Sequence, residues 1–182
     1  MIDSGTLLEI KGLSRRFGGV TAVSDFNARI GKGQLVGIIG PNGAGKTTIL
    51  NLLSGVYACD SGEIVFNGTN IAGLPLFQIG RLGIARTFQN IRLFGDMSVL
   101  DNVRSAYSWR AEYGLLKAMV GWKGVGSSEQ RVISRSRHWL EVVGLREHLQ
   151  EDAGSLPYGL QRRVELARAL AGEPQLLLLD EP

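Results

Sequence analysis

The sequence predicts an α/β domain organised around a parallel sheet, and three observations predict it. A short apolar run, Leu35-Val36-Gly37-Ile38-Ile39, leads into a glycine-rich turn, and helical periodicity follows at once. A second apolar run, Leu176 to Leu179, ends in the adjacent acids Asp180 and Glu181. Between the two, from about Ser98 to Gly144, apolar residues recur at helical spacing instead of alternating.

Taken in order, Thr6 to Ile30 alternates and turns like an antiparallel sheet, with Gly18-Gly19 and Gly31-Lys32-Gly33 as punctuation. Leu35 to Ile39 is bounded by glycines and predicts a buried parallel strand. Ile49, Leu52, Leu53 and Val56 fall on one helical face, which predicts a helix over Lys46 to Val56. Gly62 to Phe66 and Gly83 to Phe88 are further strand candidates. Val132, Ile133, Trp139, Leu140 and Val143 share a face of a later helix, with Ser128 as its cap and Gly144 at its end. Gly121 to Ser128, rich in glycine and serine, predicts a loop. Gln161 to Ala171 predicts another helix, closed by Gly172-Glu173-Pro174. This order implies one α/β core holding a mostly helical subdomain, about residues 90–172, and not two independent domains.

The 182 residues fit a single domain, and 44% apolar with 20% charged residues is an ordinary globular balance. A net charge of +3 with scattered arginines implies no nucleic-acid partner. Cys59 is the only cysteine, which excludes an internal disulfide and suits a reducing compartment. A lone cysteine is usually a small packed residue, so a catalytic thiol is the weaker reading. No run approaches the ~18 apolar residues that span a bilayer, so any membrane role must come through a partner.

Gly40-Pro41-Asn42-Gly43-Ala44-Gly45-Lys46-Thr47 fits G-x-x-x-x-G-K-[ST] at every defined position. The chemistry needs this arrangement. Glycines let the backbone curl until successive N–H groups point at phosphate oxygens. The following helix presents its positive end to the same anion. Lys46 reaches the β- and γ-phosphates, and the Thr47 hydroxyl offers a ligand to Mg²⁺. At the far end, the carboxyl ends of parallel strands line the ligand crevice. Asp180 is there the candidate Mg²⁺ ligand and Glu181 the candidate general base for an attacking water; the plain alternative is a pair of solvated turn acids before Pro182.

These motifs place the chain among P-loop ATPases, and the stretch between them narrows the class. Leu156-Pro157-Tyr158-Gly159-Leu160-Gln161, followed by Arg162 to Leu170, resembles the ABC signature (L-S-G-G-Q) and its helix. Gln89, within Arg86-Thr87-Phe88-Gln89, resembles the Q-loop glutamine, and Phe17 stands where that family stacks an aromatic on adenine. The resemblance covers essentially the whole chain. It implies a P-loop ABC-ATPase core with an antiparallel β-subdomain and an inserted helical subdomain. It further implies a nucleotide site of Phe17, Gly40, Pro41, Asn42, Gly43, Ala44, Gly45, Lys46, Thr47 and Thr48, with Gly159 acting in trans from a second ATPase subunit. Thr47, Gln89 and Asp180 would hold Mg²⁺, and Lys46, Gln89 and Glu181 would carry hydrolysis of ATP. Implied partners are a second cassette bound head to tail, membrane-spanning permease subunits and, indirectly, a solute-binding protein, on the cytoplasmic face of the inner membrane.

Within that family, Gly40 to Thr48, Arg86 to Phe94 and the tyrosine-bearing signature are similar to ATP-binding subunits of branched-chain amino-acid importers, as is the long segment between Asn102 and Ser136. The signature departs from the general pattern at Pro157, Tyr158 and Leu160. The family pattern also continues beyond Asp180-Glu181 with an aspartate loop and a strand ending in histidine. The expectation is therefore a chain cut short at its C-terminal side, with an exposed sheet edge. His138 and His148 precede the acidic strand and cannot replace that histidine. Three alternatives stay open: a soluble ABC ATPase outside transport, a truncated nucleotide-binding module without turnover, and a small-molecule kinase. Trp109, Trp122 and Leu115 to Val120 offer either a docking surface or internal packing.

Overall fold

The computed structural model describes residues 5–107 and 125–180. They fall into two compact units, divided between Leu82 and Gly83.

In the first unit, β1 (Thr6–Phe17) and β2 (Val20–Gly31) form the predicted antiparallel hairpin, joined across Gly18-Gly19. β3 (Ser61–Phe66) and β4 (Thr69–Asn70) extend it to four strands in the order β2-β1-β3-β4. Leu8 lies opposite Phe66 and Ile10 opposite Ile64, and all four are buried, so cross-strand apolar pairs hold the sheet face together. The strand β1 is irregular around Gly12 and Leu13, where the start of β3 comes very close. A Cβ on Gly62 (φ +100°) would lie 2.6 Å from the Leu13 Cα, so only glycine fits there. Helix α1 (Lys46–Leu53) buries Ile49, Leu52 and Leu53. It ends three residues sooner than predicted, because Val56 lies beyond Gly55 at φ +73° and is half-exposed. A short α2 (Leu76–Arg81) follows, with Ile79 buried.

One expectation fails here. Leu35 to Ile39 forms no strand among the described residues, and Leu35 and Ile39 are 100% and 98% exposed. The reason is physical: a strand is held by the ladder bonds of its neighbours, and an apolar run supplies none of those itself. The segment has the pattern of a buried strand without the partners.

In the second unit, β5 (Ile84–Arg86) pairs in parallel with β6 (Leu176–Leu178). Both are shorter than predicted, although a backbone bond from Thr87 N to Leu178 O (3.0 Å) continues the ladder one step. Between them in sequence come α3 (Val99–Arg104), α4 (Val125–Val142) and α5 (Tyr158–Ala171). Ser98 caps α3, its hydroxyl accepting from Asp101 N and donating to Asp101 Oδ2. Val99, Val103, Leu140, Leu145, Val164 and Ala167 belong to a buried apolar cluster formed by the three helices and the turn after α4, with Val132, Trp139 and Val143 packed against it. The predicted α4 face is thus the buried one. Its start is corrected: α4 begins at Val125, so Ser128 is inside the helix and Val125 to Ser128 is not loop. Gly144, at φ +75°, closes it as expected. Helix α5 starts at Tyr158, three residues before the predicted Gln161. Trp109, Trp122 and Leu115 to Val120 lie outside the described residues.

Candidate functional site: a phosphate loop and its companions

The first unit holds the phosphate loop. Residues 40–44 are exposed, and the chain turns through left-handed backbone at Gly43 (φ +82°) and Gly45 (φ +86°) before α1 starts at Lys46. Gly45 is obligatory for a second reason: a Cβ there would stand 2.4 Å from the Ala22 carbonyl oxygen of β2. Ala44 N donates to Pro41 O (3.2 Å) and Ile49 N to Gly45 O (2.9 Å), so the loop passes directly into the first helical turn. The Lys46 ammonium donates to Gly40 O (2.8 Å) and Pro41 O (2.9 Å), which keeps the cation against the rim of its own loop. Thr47 is exposed and Thr48 half-buried at the helix start. The positive end of α1, loop amides and an ammonium together make an anion-binding surface.

Phe17, at the end of β1, is 39% exposed and meets Tyr57 edge to face at 5.2 Å. The Arg15 guanidinium lies 4.9 Å from the Phe17 ring centre. Asp60 secures that arrangement, bonding Arg15 Nη1 at 2.6 Å and Arg16 N at 2.7 Å. The Arg16 amide, with Arg15 beside it, holds the Asp60 carboxyl below its usual range. Sequence reasoning named Phe17 alone. Tyr57 and Asp60 are brought to it by the fold and no local pattern signals them, whereas Arg15 shares the Phe17 face of β1 at i, i+2 spacing.

The second unit holds Gln89, Asp180 and Gly159. Asp180 follows β6 and is buried, with its Oδ2 accepting from Arg86 Nη2 at 2.9 Å. The pair is sealed on both sides, at 5% and 6% side-chain exposure. Arg86 also lies 4.9 Å from the Phe88 ring centre. Sequence reasoning missed Arg86 as the partner of Asp180. Gln89 is exposed just past β5, on a segment whose backbone α5 grips. Arg162 Nη1 donates to Phe88 O and Arg162 Nη2 to Gln89 O, both at 2.6 Å. Glu165, buried to 3%, accepts from Phe88 N (3.4 Å) and from Arg162 Nη1 (3.2 Å). Burial pulls the Arg162 guanidinium down, but bonds to Tyr158 and Glu165 outweigh it and leave it above its ordinary value. Gly159 sits in the first turn of α5, where an added Cβ would meet nothing within 4 Å. Pro157 precedes that helix and offers no side-chain cap, the structural consequence of proline in place of serine. Glu181 lies outside the described residues. His138 is exposed, and His148 bonds Glu151 at 2.9 Å on the surface.

A G-x-x-x-x-G-K-[ST] loop opening a helix, beside a four-stranded antiparallel sheet, with a parallel strand pair and three helices in the same chain, defines a P-loop nucleotide-binding protein. Comparison with known proteins makes the class specific. The family described as ABC transporter matches residues 23–182. The high-affinity branched-chain amino acid transport ATP-binding protein LivG of Escherichia coli is 41% identical over 98% of this chain and 70% of its own length. BraF of Pseudomonas aeruginosa, a protein of the same description, is 42% identical over the same shares. Among solved structures, a nucleotide-free ATP-binding cassette from an ABC transporter superposes with a TM-score of 0.79 at 28% identity, covering 97% of this chain and 69% of that one. The chain belongs to the ABC transporter family and has the fold of its ATP-binding cassette, whose members hydrolyse ATP to power transport. It spans about 70% of the length of the two curated relatives.

Proposed function

We propose that this chain is the ATP-hydrolysing subunit of an importer for branched-chain amino acids. The observation that carries the proposal is the phosphate loop in a chain more than 40% identical to LivG and BraF over nearly its full length. No helix among the described residues is long and apolar enough to cross a membrane. By its likeness to LivG and BraF, the subunit works as a peripheral protein on the cytoplasmic face of the inner membrane, beneath permease subunits that a solute-binding protein feeds. The chain acts as a single nucleotide-binding domain, with residues 90–172 as its helical part.

The loop amides of Gly40 to Thr48 and the positive end of α1 bind the phosphates, while Lys46 neutralises their outer charge. Phe17, braced by Tyr57 and Arg15, offers a stacking face to adenine. Mg²⁺ bound with the nucleotide would neutralise charge on the phosphate oxygens. The Thr47 hydroxyl, the Gln89 amide oxygen and the Asp180 carboxylate, whose Oδ2 accepts from Arg86 in this structure, would supply the hard oxygen donors that Mg²⁺ prefers. Glu181 takes a proton from the attacking water, and Gly159 of a second cassette faces the phosphates from across the dimer. Closure of two cassettes on ATP and their opening after hydrolysis drive the permease.

Lys46→Ala tests the assignment in the full-length protein. Removing the ammonium should reduce ATP affinity at least about tenfold, the loss of a charge-assisted contact. Undiminished ATP binding by that variant would remove the site. Reconstitution with its permease in vesicles then tests the cargo: uptake of leucine, isoleucine or valine that stops with Lys46→Ala supports the proposal, and ATP-driven uptake of other solutes alone overturns it.

A further inference from the structure

The segment carrying Gln89 is fastened to the signature helix by two side chains of that helix. Tyr158, Arg162 and Glu165 follow one another on a single face of α5, at spacings of four and three residues. Arg162 spends its planar donor fork on Phe88 O, Gln89 O, the Glu165 carboxylate and, through Nε, the Tyr158 hydroxyl at 3.2 Å. Glu165 returns a bond to Phe88 N. One residue, Phe88, is thus gripped at both its N–H and its C=O, which are parts of two consecutive peptide groups. A turn further along α5, Arg168 Nη2 donates to Arg92 O, and its guanidinium lies 5.8 Å from the Phe94 ring centre. On its other side the same segment is tied to the helical cluster. Asn102, fully buried, accepts from Phe94 N and donates to Phe94 O, while Gly154 N donates to Gly95 O.

A glutamate buried to 3% is expensive unless its oxygens are paired. Apolar residues would pack α5 against its neighbours equally well. What the ionic pair adds is direction. It fixes the backbone of Phe88 and Gln89 relative to the helix whose first turn contains Gly159.

We propose that Arg162 and Glu165 are positioning residues that lock the Gln89 backbone to the signature helix, so that Gln89 and Gly159 shift as one body during ATP turnover. The inference rests on the proposed roles of Gln89 and Gly159 in hydrolysis. Neither Arg162 nor Glu165 touches nucleotide; both act through the loop they hold.

The test uses the full-length protein assembled with its membrane partners, as wild type, Arg162→Ala, Arg162→Lys and Glu165→Gln. Amide exchange across residues 88–93 reads the clamp directly. It should rise about tenfold or more in Arg162→Ala, with the α3 and α4 amides unchanged; equal exchange in wild type and Arg162→Ala overturns the proposal. In ATPase assays kcat should fall about 10- to 100-fold in Arg162→Ala, the scale of a group misplaced by about 1 Å, while ATP affinity stays within about twofold. Lysine keeps the charge but loses the fork, so Arg162→Lys should recover only part of the rate. Glu165→Gln, which keeps an acceptor for Phe88 N, should fall between wild type and Arg162→Ala. An unchanged kcat in Arg162→Ala overturns the proposal, and so does a parallel loss of kcat, ATP affinity and melting temperature, which marks a merely structural residue. Wild-type protein that neither binds nor hydrolyses ATP would defeat the functional reading instead, and amide exchange would still judge the clamp.

Discussion

Replacing Arg86 by methionine removes one half of an ion pair that is about 95% sealed from water. At the observed 2.9 Å, and with an effective dielectric of about 20, the Coulomb attraction is about 6 kcal/mol. Desolvation of the two groups offsets much of that, so the net worth of the pair against apolar residues is small. The variant meets a different balance, because it keeps the desolvation of Asp180 and loses its Arg86 cation. Breaking a buried pair in this way costs about 3–5 kcal/mol. The double variant Arg86→Met/Asp180→Leu carries neither buried charge and should lie within about 1 kcal/mol of wild type. Urea unfolding at neutral pH, followed by circular dichroism, measures all four corners of the cycle, with Asp180→Leu as the fourth. The reasoning fails if Arg86→Met loses less than about 1 kcal/mol. It fails also if the double variant loses the sum of the two single losses, since the charges would then be uncoupled.

Two further predictions concern the first unit. Gly45→Ala and Gly43→Ala both force an L-residue into left-handed backbone, about 1–2 kcal/mol each, but only Gly45 faces a carbonyl at 2.4 Å. Gly45→Ala should therefore be the more destabilising in the same urea assay, and equal losses would show that the contact with β2 relaxes freely. Asp60 has its carboxyl held below the usual value by Arg16 N and Arg15, so its contribution is complete above the unfolded pKa, about 4, and disappears as pH falls through the lower folded value. Melting temperatures of wild type and Asp60→Asn should differ at pH 7 and converge in acid. A gap that stays constant down to pH about 2.5 would mean that the Asp60 charge is not involved.

Local chemistry is what sequence reading reaches. Gly40 to Thr47 was legible because each defined position answers a backbone need at that point of the chain, and the structure has left-handed backbone at Gly43 and Gly45 with α1 starting at Lys46. The hairpin of β1 and β2, the α4 face of Val132, Leu140 and Val143, and the parallel character of Leu176 to Leu178 were legible from periodicity for the same reason. The resemblance of the phosphate loop, Gln89 and Leu156 to Gln161 to family motifs, in their order, identified the ABC family, which the comparisons show.

Tertiary structure decided whatever depends on a distant partner. Leu35 to Ile39 has the composition of a buried strand, yet ladder bonds come from other strands, and the described residues supply none. Arg86 and Asp180 stand 94 positions apart, and no periodicity links two residues across such a distance. Arg162 and Glu165 stand at i, i+3 spacing, which on an exposed helix would be worth only a few tenths of a kcal/mol. Only the fold brings the Phe88 backbone to them, 74 and 77 residues away in sequence, and so turns a helical ion pair into the clamp on Gln89.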